Sequence, residues 1–168
     1  MLLEMDVRNY ALIEHISIQF GDGFNVLTGE TGAGKSLIID CLGLVVGGRA
    51  SAESVRTGAE SAVVEAVFDL SGMAQMADIL SQQGIDPEPD GTLVISREVW
   101  PQGRSRCRVN GRTVTLTSLA AIGECLVDIY GQHEYQSLAR PSRHLALLDS
   151  FGGEELSLAL AAYKSRYA

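Results

Sequence analysis

Lysine is nearly absent from this chain: among 168 residues it occurs only at Lys35 and Lys164. Positive charge is short altogether, with 13 basic side chains against 21 acidic ones and a formal net charge of −8. A surface of that sign is not a general nucleic-acid binder, though it leaves room for a local basic patch. No apolar run reaches the roughly 18 residues that a membrane-crossing helix needs, so no membrane partner is expected. The opening Met1-Leu2-Leu3-Glu4-Met5-Asp6 lacks the basic segment of a secretory signal. Cysteine is limited to Cys41, Cys107 and Cys125, an odd and scattered set that suits reduced thiols in a cytoplasmic protein. Repeats and low-complexity segments are missing too. What remains is globular, with 46% apolar and 20% charged residues, and long enough for one domain with a real core.

Against these absences one stretch stands out. Gly29-Glu30-Thr31-Gly32-Ala33-Gly34-Lys35-Ser36 fits G-x-x-x-x-G-K-[ST] at every fixed position, the pattern of a phosphate-binding P-loop. Glycines let the backbone turn tightly round an anion and aim successive N–H groups inward. Lys35 supplies a mobile ammonium for the β- and γ-phosphates, and the Ser36 hydroxyl is a ligand for Mg²⁺. A helix starting here adds its positive end. Phe24-Asn25-Val26-Leu27-Thr28 reads as a short buried strand before the loop. Leu37 to Val46 reads as a helix packed inside an α/β domain after it. Nucleotide binding follows from that order.

Elsewhere, Leu3, Met5 and Val7 alternate with Glu4 and Asp6, and Ile16, Ile18 and Phe20 alternate with Ser17 and Gln19. These predict two half-buried strands in an antiparallel layer ahead of the P-loop. Gly47-Gly48 ends the P-loop helix, and Ala50 to Glu60 is a polar loop. There Arg49 and Arg56 are open to two readings, a contact to nucleotide or DNA and a solvated charge. Ser61 to Leu70 reads as a strand and Gly72 to Gln83 as a helix. Thr92 to Trp100 and Ser105 to Val109 read as strands, with Asn110-Gly111 as a hairpin turn into Arg112. This region holds a basic cluster of Arg97, Arg104, Arg106, Arg108 and Arg112. A row formed by Arg104, Arg106 and Arg108 on one strand face suits phosphates, and equally suits a solvated hairpin. Thr115 or Thr117 caps a helix toward Cys125, Leu126 to Tyr130 reads as a short strand, and a last helix runs from Glu154 to Ala168.

A P-loop hydrolase also needs an acid to hold Mg²⁺ and a group to orient water. Leu145-Ala146-Leu147-Leu148-Asp149 has the literal pattern, but between Pro141 and Gly152 it sits in a helical setting and reads as a decoy. Leu126-Val127-Asp128 has too short an apolar lead. The sequence therefore carries a nucleotide cradle without a catalytic acid, half of an active site.

The order of strand pair, P-loop, long insert and Gly-Gln turn resembles the N-terminal lobe of ATP-binding-cassette heads of the SMC type. Several stretches resemble the RecN family of bacterial SMC-like proteins of double-strand-break repair more closely. They are Val7 to Glu14, Leu27 to Ser36, Val109-Asn110-Gly111-Arg112, Val127 to Glu134 and Leu148 to Gly153. The resemblance covers essentially the whole chain. It implies an α/β P-loop NTPase fold, an antiparallel β layer plus a parallel core around the P-loop helix, with residues 1–153 as the lobe. Residues 154–168 would be the root of a coiled-coil helix. It also implies that Gln132 is the Q-loop glutamine that contacts Mg²⁺ and the attacking water, a role an amide fills because it both donates and accepts. The implied cofactors are ATP and Mg²⁺. The implied partners are DNA, a C-terminal lobe of the same chain bearing the missing acids and signature motif, and a second head across sandwiched ATP. Two other readings stay open: a self-contained small P-loop kinase or NTPase, and a module that binds ATP without turnover.

Overall fold

The structure, a computed structural model, describes residues 1–30, 34–86, 88–129, 144, 145, 148, 149 and 151–167. Residues 1–127 form one compact unit and residues 128–168 a second. The first is built on a six-stranded sheet: β1 (Leu2–Tyr10), β2 (Ile13–Gln19), β3 (Ala62–Asp69), β4 (Thr92–Val99), β5 (Ser105–Val109) and β6 (Arg112–Val114). The spatial order is β2-β1-β3-β4-β5-β6, and every neighbouring pair is antiparallel. Helices α1 (Lys35–Val45), α2 (Ala74–Gln82) and α3 (Leu116–Leu126) belong to the same unit.

Alternation explains the sheet. Met5, Val7, Val64, Ala66, Phe68, Leu93, Ile95, Val99, Cys107 and Val109 form its buried side and join a core with Cys41 and Leu44 of α1, Leu80 of α2 and Ile122 of α3. Each buried aliphatic side chain contributes about 1.5–3 kcal/mol by leaving water. A bulge between Leu2 and Glu4 breaks the period of two, so Leu2 rather than Leu3 packs on the core. On the outer side one row crosses the sheet through Asp6, Glu65, Ser96 and Arg108. Glu4 takes a bond from Ser17, and Asp6 holds Arg8 at 2.7 Å, so β1 and β3 are acidic outside while β5 carries Arg106 and Arg108.

Two expectations need correction. Phe24–Thr28 is not a strand, and Phe24 (92% exposed), Val26 (63%) and Leu27 (44%) lie open. A central buried strand needs neighbours, and the antiparallel sheet supplies none, so no parallel pairing occurs among the described residues. Likewise, the segment from Leu126 to Tyr130 is not a strand: Leu126 completes α3, Ile129 makes a single bridge, and Tyr130 lies outside the described residues.

The far end of α1 is closed tightly. Gly47, at φ 104°, donates to Leu44 O, and Gly48 N–H donates to Gly43 O. This is the paired pattern of a Schellman cap, for which a residue with a Cβ is ill suited at Gly47. α3, capped by Thr115 through the Ser118 N–H, lies against that end. A Cβ on Gly123 would fall 2.1 Å from Val46 O, and one on Gly47 2.6 Å from Ala120 Cα. The two backbones therefore touch with no side chain between them.

In the second unit, Phe151 N–H donates to Leu148 O, a turn through Gly152 follows, and α4 spans Gly153–Tyr167. Leu156, Leu160, Tyr163 and Tyr167 recur at intervals of four, three and four, the a/d spacing of a coiled-coil seam. Tyr163 and Tyr167 stack with ring centroids 4.6 Å apart, and both are exposed.

Gly123→Ala separates packing from propensity. On a solvated helix this change stabilises by about 1 kcal/mol; here it is expected to lower stability by about 1–3 kcal/mol, read as an earlier urea midpoint. An unchanged midpoint would refute the backbone contact. Cysteine labelling checks the core: burial, reinforced by neighbouring Asp40, pushes the Cys41 thiol up to about 12. Iodoacetamide at neutral pH is thus expected to modify exposed Cys125 in the folded chain and to reach buried Cys41 and Cys107 only after unfolding, by mass spectrometry.

Candidate nucleotide site and basic surface

α1 opens at Gly34, whose φ of 88° suits glycine, and no side chain caps its first turn, which holds no acidic residue. Its leading N–H groups thus receive no N-cap side-chain oxygen, an arrangement that suits an anion. Lys35 turns back on the loop, where Nζ donates to Gly29 O and to Glu30 O. Ser36 follows and is exposed. Thr31, Gly32 and Ala33 lie outside the described residues, as does Gln132, so the glutamine is not placed with Lys35. Asn25 braces the approach, accepting from Gly21 N–H at 3.0 Å and donating to Gly21 O at 2.8 Å.

Beside the loop is an open cleft of about 420 Å³, where Lys35 and Ser36 meet Leu2, Phe20, Leu27 and Ile39. Ile39, on α1 itself, is 49% exposed, so the helix is buried on one side only. For Mg²⁺, the Ser36 hydroxyl fits as one ligand. Among the described residues no group of three His, Cys, Asp or Glu side chains gathers to complete a metal site. Asp149 sits in a helical stretch with Leu148, and Asp128 is outside any strand, so neither ends a buried strand as a Mg²⁺-holding acid would.

The arginines separate into different roles. Arg97 is fully buried on the inward phase of β4, with Nη1 on Cys107 Sγ and Nη2 3.4 Å from Gly48 O. Its Nε has no partner among the described residues. A guanidinium buried without a carboxylate costs several kcal/mol unless polar groups receive it, and here it meets the carbonyl end of α1, where a cation is favoured. Arg97 thus leaves the basic cluster; the alternation Leu93-Ile95-Arg97-Val99 was the available signal. Arg112 donates to Gly84 O and ties β6 to the end of α2.

Arg106 and Arg108 share the outer face of β5, while Arg104 precedes the strand. Arg106 lies over the Trp100 ring, 5.3 Å from its centroid, a contact that the row of arginines did not reveal. Arg56 donates to Leu12 O at 2.9 Å and approaches Glu14 at 3.8 Å, so it braces the β1–β2 turn. Arg49 is exposed.

Residues 4–98, more than half of the chain, match the family model described as AAA domain. The chain is 47% identical over 167 residues to the DNA repair protein RecN of Halalkalibacterium halodurans, covering 99% of this chain and 29% of the relative. It is 46% identical to RecN of Bacillus subtilis, with the same coverage, and 35% identical over 153 residues to RecN of Vibrio cholerae, covering 91% and 27%. It thus spans under a third of the curated relatives it matches. Among solved structures, one chain comes from the structural biochemistry of ATP-driven dimerization and DNA stimulated activation of SMC ATPases. It aligns with a TM-score of 0.62 at 24% identity over 89% of this chain and 98% of that one. The SMC head domain from Thermotoga maritima aligns at 0.54 and 23%, covering 71% and 41%. The recombination mediator RecF in its ATPrS-bound structure aligns at 0.54 and 18%, covering 71% and 29%. These likenesses give the fold, that of SMC and RecF ATPase heads. The chain belongs to the AAA domain family, as the counterpart of the N-terminal part of the RecN DNA repair proteins.

Proposed function

We propose that this chain is the ATP-binding half of an SMC-like ATPase head that works in DNA double-strand-break repair and recombination. The observation that carries the reading is the pairing of an uncapped α1 with bare apolar residues, Phe24, Val26, Leu27 and Ile39, around the same loop. An exposed apolar strip at a polar site marks a face made to be covered. The reading assigns that cover to a C-terminal lobe of the same protein, which also brings the acid and the signature motif. Residues 1–153 are then the lobe and 154–168 the coiled-coil root, for which the a/d seam of α4 is the support.

In this reading Gly29 to Gly34 wrap the phosphates with backbone N–H groups. Lys35 leaves Gly29 O and Glu30 O for the β- and γ-phosphate oxygens, stabilising charge as it develops. Ser36 and Gln132 are the assigned Mg²⁺ contacts, and Gln132 orients water. The metal neutralises phosphate charge when bound. ATP between two heads links homodimer formation to nucleotide, and Arg104, Arg106 and Arg108 meet DNA. The site of action is the cytoplasm, at the nucleoid. No helix among the described residues is long and apolar enough to cross a membrane.

Mg-ATP turnover separates this from a self-contained small kinase or NTPase. The chain alone is expected to show no turnover that depends on Lys35. Adding the C-terminal lobe is expected to restore hydrolysis, and Lys35→Ala to remove it by about 100-fold or more. Turnover by the chain alone that Lys35→Ala abolishes would overturn the half-head reading.

A further inference from the structure

The β4–β5 turn builds a feature that phosphate contacts alone do not use. Trp100 N–H donates to Arg104 O at 2.9 Å, and Gly103 N–H donates to Trp100 O at 2.9 Å, with Gly103 at φ 79°. The tight turn sets the indole and two arginines side by side. Together with Ser105 and Thr113 they line an open cleft of about 420 Å³. Trp100 is half-buried, so its indole is anchored and partly accessible; Arg104 is exposed and has no ion pair among the described residues. Arg106 lies over the indole at 5.3 Å, and Glu98, 3.8 Å from Arg106 and holding Ser61 at 3.3 Å, is the acid beside it.

We infer that Trp100, Arg104 and Arg106 form a binding site for an unpaired nucleotide of single-stranded DNA, the base against the indole and the flanking phosphates on the two guanidiniums. The inference rests on the nucleic-acid part of the reading above and goes beyond it by naming the form of DNA and the aromatic contact. An indole beside cations suits a base with a free π-face and adjoining phosphates. A duplex keeps its base faces inside the stack, so it can meet the arginines without meeting Trp100. Arg108 extends the track: it stands two residues beyond Arg106 on the same strand face, about 6.6–6.8 Å on, on the order of one phosphate repeat of an extended strand. Glu98 and Arg106 form a loose, partly solvated pair, which a phosphate can replace at little cost. Thr113, exposed on β6 opposite Arg108, offers a hydroxyl at the same cleft.

Trp100 is the only tryptophan of the chain, so its fluorescence reports on this site directly. The chain is titrated without nucleotide against a thymidine oligomer of about 20 residues, matched to a site of roughly 4–16 nucleotides, and against a duplex of equal length. Binding is followed in parallel by anisotropy of end-labelled DNA. The single strand is expected to quench Trp100 as it binds, and the duplex to leave it unchanged. Trp100→Ala is expected to weaken single-strand binding by about 5- to 150-fold, with Trp100→Phe retaining most of it. Arg104→Ala, at an exposed position, is expected to flatten the slope of log affinity against log salt by about 0.7. Single-strand binding with unchanged Trp100 fluorescence and no loss in Trp100→Ala or Arg104→Ala overturns the inference and leaves DNA binding standing. Binding of neither DNA overturns both, while Lys35-dependent hydrolysis with the added lobe would still stand for the head.

Discussion

The position of α1 depends on a close approach of two backbones at a pair of glycines. Gly47 and Gly123 let the end of that helix meet α3 backbone to backbone, and a Schellman cap closes its last carbonyls. Arg97 adds a cation beneath the same end, shared between Gly48 O and Cys107. Close-packed interiors do not yield smoothly. Backbones that meet this closely leave few rotamers with which to accommodate a shift, so α1 is referenced to the sheet through β4 and to α3 through its own backbone. Lys35 and Ser36, at the other end of one rigid rod, inherit that position.

The two ends of α1 are opposites. One is capped, covered and charge-balanced, while the other is uncapped and bordered by exposed leucine, isoleucine and phenylalanine. Sequence reading placed a buried strand at Phe24–Thr28 because the residues have the composition of one. Composition records where a residue is meant to be buried; it does not say which segment does the burying. In this chain the sheet is antiparallel throughout and, among the described residues, leaves that segment without a ladder.

The antiparallel layer was legible because its strands keep strict alternation: Val64, Ala66 and Phe68 against Glu65, and Leu93, Ile95 and Val99 on the inward phase of β4. Asn110-Gly111, with φ of 46° and 72°, formed the hairpin turn that the dipeptide announces. The P-loop and the start of its helix were legible from residue types fixed by backbone geometry. Arg97 was not, because a charged residue on the inward phase is outvoted by its own side-chain chemistry until the partner carbonyl is in view. Nor was the Trp100–Arg106 contact, since it crosses a turn between strands and has no sequence period. Arg56 illustrates the reverse: two functional readings were open, and its bond to Leu12 O supports a bracing one.

The outer face of the sheet has a further consequence for how this lobe meets other molecules. Most of its carboxylates lie on β1 and β3 and its guanidiniums on and beside β5, where Glu98 of β4 pairs only loosely with Arg106, across a molecule that is negative in total. Such a body has an electrostatic sense of direction. A polyanion approaching from the β1 side is turned away before contact, and one approaching the β5 edge is drawn in within about 8–10 Å, the screening length of physiological salt. Encounters are thereby sorted by orientation before any hydrogen bond forms, so a strongly acidic chain need not be a poor ligand for another acid.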